Sequence, residues 1–85
     1  MNLELTYHQD PGHGWIFADN ATLASLGLNS GSFSRYSYKD EKGVYAEEDC
    51  DAGILIGAMK EKEIEFTFKE VYQNQDHWIR NLAGC

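Results

Sequence analysis

One proline, two cysteines and only 7 Lys and Arg are spread over 85 residues, and each scarcity excludes something. Neither Cys50 nor Cys85 has a second cysteine two to four positions away, so no compact thiolate zinc motif can form. In a reducing compartment both are expected as free thiols, with a Cys50–Cys85 bridge as the less favoured arrangement. The basic residues Arg35, Lys39, Lys42, Lys60, Lys62, Lys69 and Arg80 are scattered, which leaves no positive footprint to neutralise phosphates. This argues against direct nucleic-acid binding and against an anionic membrane surface. No apolar run follows Met1 and none approaches the length of a membrane span. The expectation is therefore a cytoplasmic protein with neither signal peptide nor membrane segment.

Carboxylates are what the chain has in excess: 14 Asp and Glu give a formal charge of −7. With 42% hydrophobic and 13% aromatic residues there is enough apolar material for a packed core. A chain of this length buries one core and gains only modest stability from it, so a partner or second subunit would help.

The apolar pattern alternates between the periods of strands and helices. Leu3, Leu5 and Tyr7 alternate with Glu4, Thr6 and His8, the mark of a half-buried strand. Asp10-Pro11-Gly12-His13-Gly14 breaks it with a tight turn, and Trp15-Ile16-Phe17-Ala18 resumes, making a hairpin. Asp19 or Asn20 can cap a short helix over 21–26, which Gly27 ends and whose Leu23, Leu26 and Leu28 pack on the sheet. Asn29-Ser30-Gly31 reads as loop. From Ser32 to Lys39 the alternation predicts a strand with Ser34, Tyr36 and Tyr38 on one side, followed by the turn Asp40-Glu41-Lys42-Gly43 and a strand over 44–47. Asp49 or Asp51 caps a second helix with Ile54, Leu55, Ala58 and Met59 on one face. Ile64, Phe66 and Phe68 alternate with Glu63, Glu65, Thr67 and Lys69 as a last strand. Asp76 can cap a final turn that aligns Trp78 with Leu82, or the segment is a flexible tail whose Trp78 docks elsewhere.

The order ββαββαβ predicts an α+β fold: a single small domain over 1–72, with about five strands in an antiparallel or mixed sheet and two helices on one face. Residues 73–85 are expected as a C-terminal tail or short helix. The sheet's edges need protection, and a homodimer across one edge would provide it.

Three blocks carry a resemblance: His8-Gln9-Asp10-Pro11-Gly12-His13-Gly14-Trp15, Ser34-Arg35-Tyr36-Ser37-Tyr38 and Glu47-Glu48-Asp49-Cys50-Asp51-Ala52-Gly53. In these the chain resembles small proteins carried by bacteriophages, prophages and conjugative plasmids, over roughly residues 3 to 60. The family offers no established activity to transfer residue by residue. Its setting implies an accessory role in a mobile element, such as inhibition of host restriction or CRISPR machinery.

Catalytic and metal readings are weak. His8 and His13 flank Asp10, but their spacing matches no compact metal motif, so hairpin-surface histidines and no metal or cofactor are expected. Cys50 lies near a helix start, which lowers a thiol's pKa, yet Glu47, Glu48, Asp49 and Asp51 surround it and raise it. Four carboxylates outweigh a half-charge dipole, so no nucleophile is expected. The acids lack the cleft a hydrolase needs and the twelve-residue series of a calcium loop.

The stretch Glu47 to Asp51 has two readings. Each acid can stabilise the helix start by roughly 0.3–1 kcal/mol. Alternatively they join Asp40, Glu41, Glu61, Glu63, Glu65 and Glu70 in one negative surface, since residues 40–70 hold 10 acids against 4 bases, which is −6 of the total −7. Tyr36 and Tyr38 beside Arg35 would add aromatic anchors. The expected contact residues are therefore Glu47, Glu48, Asp49, Asp51, Tyr36, Tyr38, Asp40 and Glu41, and the expected partner is a host protein or nucleoprotein complex with a basic groove. A structural or homo-oligomerising accessory domain is the alternative. A metal- or thiol-dependent enzyme built on His8, His13 and Cys50 ranks third.

Overall fold

A computed structural model describes residues 2–74 and 78–85. Its elements are β1 (Asn2–Gln9), β2 (Gly14–Asp19), α1 (Asn20–Ser25), β3 (Tyr38–Lys39), β4 (Gly43–Glu47), α2 (Ala52–Glu61), β5 (Glu65–Tyr72) and β6 (Ala83–Gly84). They build an α+β domain with one mixed sheet in the order β5-β1-β2-β4-β3-β6. Every pairing is antiparallel except β1 with β5, which run parallel from Asn2↔Glu65 to Gln9↔Tyr72. Among the described residues the sheet therefore has six strands where about five were expected. No helix among the described residues is long and apolar enough to cross a membrane.

Short polar side chains set the turns. Asp10 Oδ1 accepts from the amides of Gly12 and His13, both at 2.9 Å, folding the chain from β1 into β2. Asp19 caps α1 by accepting from the Thr22 amide at 2.7 Å, and Gly27, at φ 73°, ends it in the left-handed region. Asp40 Oδ1 accepts from the amides of Lys42 and Gly43 and closes the β3–β4 turn. Gly43 is compulsory there, because a Cβ would stand 2.2 Å from the Ala18 carbonyl oxygen of the paired strand.

Period-two alternation sends side chains to two different cores. On one face Leu5, Ile16, Ala18, Val44 and Ala46 meet Leu23 and Leu26 of the α1 region and Leu55 and Met59 of α2. On the other, Trp15 and Tyr45 bury Ile79, with Phe17, Tyr38 and Leu82 around them. The second face is covered by the chain's own C-terminal part. Trp78–Asn81 forms a 3-10 turn, Ile79 is 0% exposed, and β6 adds to β3 through Tyr38↔Gly84 and Lys39↔Ala83.

One expectation is narrowed and another changes. Of the two forms expected for the C-terminal part, a tail or a short helical turn, residues 78–85 show a short 3-10 turn at Trp78–Asn81 followed by strand β6, both packed on the sheet, while Asp76, the expected cap, lies outside the described residues. The expected strand over 32–39 is confined to Tyr38–Lys39. Ser30–Ser32 instead forms a 3-10 turn, with Asn29 Oδ1 accepting from the Gly31 amide and Ser32 Oγ from the Asn29 amide. Serine and asparagine side chains compete with a ladder for backbone groups, and here they win. Tyr36 and Tyr38 thus do not share a strand face.

Candidate functional site

The β1–β2 turn, the end of β4 and the 34–37 loop converge on a cleft of about 320 Å³ on the sheet's second face. Trp15, 1% exposed, forms its floor, with Tyr38 edge-on at 6.2 Å between centroids. Arg80 stacks over Trp15 at 5.2 Å. Its Nε and Nη2 donate to the two oxygens of Asp10 at 2.7 and 2.9 Å, a bidentate pair that joins the C-terminal layer to the β1–β2 turn. Exposed Tyr36 stands on the rim with the Arg35 guanidinium 5.3 Å from its ring.

Glu47 forms the opposite wall. Its Oε2 accepts from the amides of Asp49 at 2.9 Å and Cys50 at 2.7 Å, and its Oε1 lies 3.5 Å from His13 Nδ1. The bend after β4 is therefore built around a carboxylate held by backbone donors. His13, Glu47 and Asp49 each bring one donor atom within 4.8 Å of the others, an arrangement suited to one divalent cation. Arg35 and Arg80 line the same cleft, so cationic and anionic side chains face one another across it.

The expected contact residues separate into distinct roles. Asp51, 2% exposed, stands at the start of α2 without capping it; its Oδ2 accepts from the Ser34 amide at 2.9 Å, from Ser34 Oγ at 2.7 Å and from the Ser37 hydroxyl. Glu47 is 6% exposed. Neither can belong to a solvated negative surface, because both hold the 34–37 and 48–50 loops in place. Glu48, half-buried, accepts from the Tyr7 hydroxyl on the helix-covered face. Asp40 accepts from Tyr45 Oη at 2.9 Å; local desolvation pushes its carboxyl up, but the Lys42 amide, the Tyr45 hydroxyl, the Gly43 amide and the Lys42 charge together hold it below the usual range. Tyr38 is half-buried; Glu41, Asp49 and Tyr36 are exposed.

The two histidines once grouped with Asp10 serve different neighbours. His13 faces Glu47, whereas the His8 ring packs against Tyr45 at 5.8 Å and Trp78 at 5.9 Å. Cys50 is exposed, and its thiol is raised by local desolvation, by its hydrogen bond to Glu47 and by the charges of Glu47, Asp51 and Asp49. The direction is the one the surrounding acids imply. Arg80 and Trp15, the base of the cleft, carry no local sequence signal of that role; Arg80 reaches Asp10 across 70 positions. No family model, curated protein or solved structure matches the chain.

Proposed function

We propose that this is a non-enzymatic binding protein that presents carboxylates to a basic groove on a partner protein or nucleoprotein complex. One observation carries the reading: of the 10 acids between 40 and 70, Glu41, Asp49, Glu61, Glu63, Glu65 and Glu70 are exposed, while only Glu47 and Asp51 are buried. Complementary fields speed such an encounter and discriminate against acidic competitors. Tyr36, flanked by Arg35 at the mouth of the cleft, supplies an exposed aromatic anchor of the kind that dominates interface energies. In its sharpest form the partner is a host-defence complex and the protein an anti-CRISPR or anti-restriction inhibitor from a mobile element. Carboxylates would then stand where nucleic-acid phosphates bind.

The test uses the tagged full chain as bait in a host lysate, with retained proteins identified by mass spectrometry across a salt series. Capture of a basic, nucleic-acid-binding assembly that is released by rising salt supports the reading. The variant E41K/D49K/E61K/E63K changes only exposed positions and should lose that capture while keeping its circular dichroism spectrum. Capture that survives both salt and the fourfold reversal removes the acidic surface from consideration.

A further inference from the structure

The sheet's two edges are unlike. One is β6, only two residues long; the other is β5, an eight-residue strand that pairs with β1 alone among the described residues. Gln73 N–H donates to the Gln9 carbonyl at 2.8 Å, so Gln73 turns its backbone groups inward. Because successive residues of a strand present those groups to opposite edges, Phe66, Phe68, Glu70 and Tyr72 turn theirs outward. β5 is also poorly covered, with seven of its eight residues exposed. Phe68, Val71 and Tyr72 are 38%, 37% and 61% exposed, and they are three of the five large apolar side chains exposed among the described residues. A long edge strand with exposed apolar side chains among its charged ones can template another strand.

We propose that the occupant is a second copy of this chain, with β5 pairing antiparallel to its symmetry mate about a two-fold axis through Thr67. Self-pairing requires each residue to meet its mirror number, so only a few registers exist. An axis at Thr67 sets Glu65 opposite Lys69 and Phe66 opposite Phe68, each twice. An axis at Phe68 sets Glu65 opposite Val71 and Lys69 opposite Thr67, leaving no charge matched. Axes at Lys69 and Glu70 place like charges directly against each other, which is destabilising. Charge complementarity therefore selects the Thr67 register, which pairs residues 65–69 of the two copies, sets each Phe66 beside the other copy's Phe68 on the helix-covered side, and leaves Glu70, Val71 and Tyr72 beyond the paired stretch. The result is a continuous twelve-strand sheet with β6 at its two ends. Of the exposed acids counted above this contact uses only Glu65, which the fourfold reversal leaves in place, so the two readings fail separately. Each copy carries −7, and added salt screens that net repulsion together with the exposed Glu65–Lys69 pairs, so the dimer is tested by charge reversal and not by salt.

Sedimentation equilibrium on the purified full chain tests the proposal. The native protein should have twice the 9.7 kDa chain mass. K69E and E65K should each self-associate about tenfold or more weakly, because two attractive cross-strand pairs become two repulsive ones. Mixing the two single variants should restore dimers, since each then meets its opposite charge, and E65K/K69E should dimerise alone. Both positions are exposed, and a circular dichroism spectrum identical to the native one confirms folding. A monomer at the highest soluble concentration overturns the proposal. So does a dimer indifferent to K69E, or single variants that fold yet fail to complement each other.

Discussion

Replacing Arg80 by alanine should detach the C-terminal layer, and the size of the effect can be worked from the pair it breaks. The Asp10 side chain is 0% exposed and that of Arg80 is 30% exposed, with bonds of 2.7 and 2.9 Å between them. Removing one partner of a buried pair costs about 3–5 kcal/mol because the other charge stays desolvated. Arg80 is near enough to water for the lower end to apply, and loss of its stacking on Trp15 adds about 0.5–1 kcal/mol. The amides of Gly12 and His13 still hold the carboxylate, which limits the damage. A loss of about 3 kcal/mol results, against a total of roughly 4–13 kcal/mol for a domain of this length. In urea, with a slope of about 1–1.5 kcal/mol/M, the midpoint should fall by about 2–3 M. The variant D10N/R80M removes both charges while keeping an acceptor for the turn amides, and should recover most of the loss. A midpoint shift for R80A worth less than about 0.5 kcal/mol, the size of an exposed pair, would refute the reasoning.

Two further outcomes follow from backbone packing and from tyrosine ionisation. G43A should cost about 3 kcal/mol or more in thermal or urea unfolding, because its Cβ would meet the Ala18 oxygen at 2.2 Å and the Asp19 Cα at 2.7 Å. G57A, on an exposed turn of α2 with nothing within 4 Å, should instead stabilise by about 0.5–1 kcal/mol; equal effects at the two glycines would refute the packing account. Tyr7 is pushed up to about 12 by partial burial, then by its hydrogen bond to Glu48 and the charges of Glu48, Glu70 and Asp49. Tyr45 is raised in the same direction by burial and Asp40. A raised folded-state value means that this stability is fully present below about pH 10, the unfolded value, and is lost as pH rises through about 12. Tyrosinate absorbance and unfolding should therefore rise together in that window for the native protein. Ionisation of Tyr7 near pH 10 in the folded state would contradict it.

Local pattern made most of the elements legible. Alternation at Leu3, Leu5 and Tyr7 and at Phe66 and Phe68 marks strands, and Asp19 with Gly27 brackets α1, because each signal is read within a few residues. The parallel register of β1 with β5 has no such signal, since it depends on which strand is adjacent after α2 has packed. Ser32 to Lys39 alternates correctly for a strand, yet Asp51 draws the Ser34 and Ser37 hydroxyls into a loop. Ile79 and Arg80 sit in a polar stretch with no period, so neither the second core nor the arginine clamp is announced. The site shows the same divide. That acids gather between 47 and 51 is plain from the chain, but which of them face water depends on the loops they fasten, and Glu47 and Asp51 face inward.

The placement of β5 and β6 at opposite edges has a kinetic consequence. Six strands about 4.8 Å apart make a sheet roughly 24 Å wide, and the chain must cross that width between Tyr72 and Ala83. The β1–β2 and β3–β4 hairpins close over a few residues and can form within microseconds. β5 finds its slot beside β1 only after a loop of some sixty residues has closed. Assembly is therefore ordered from the hairpins outward, and its slow step belongs to the docking of β5.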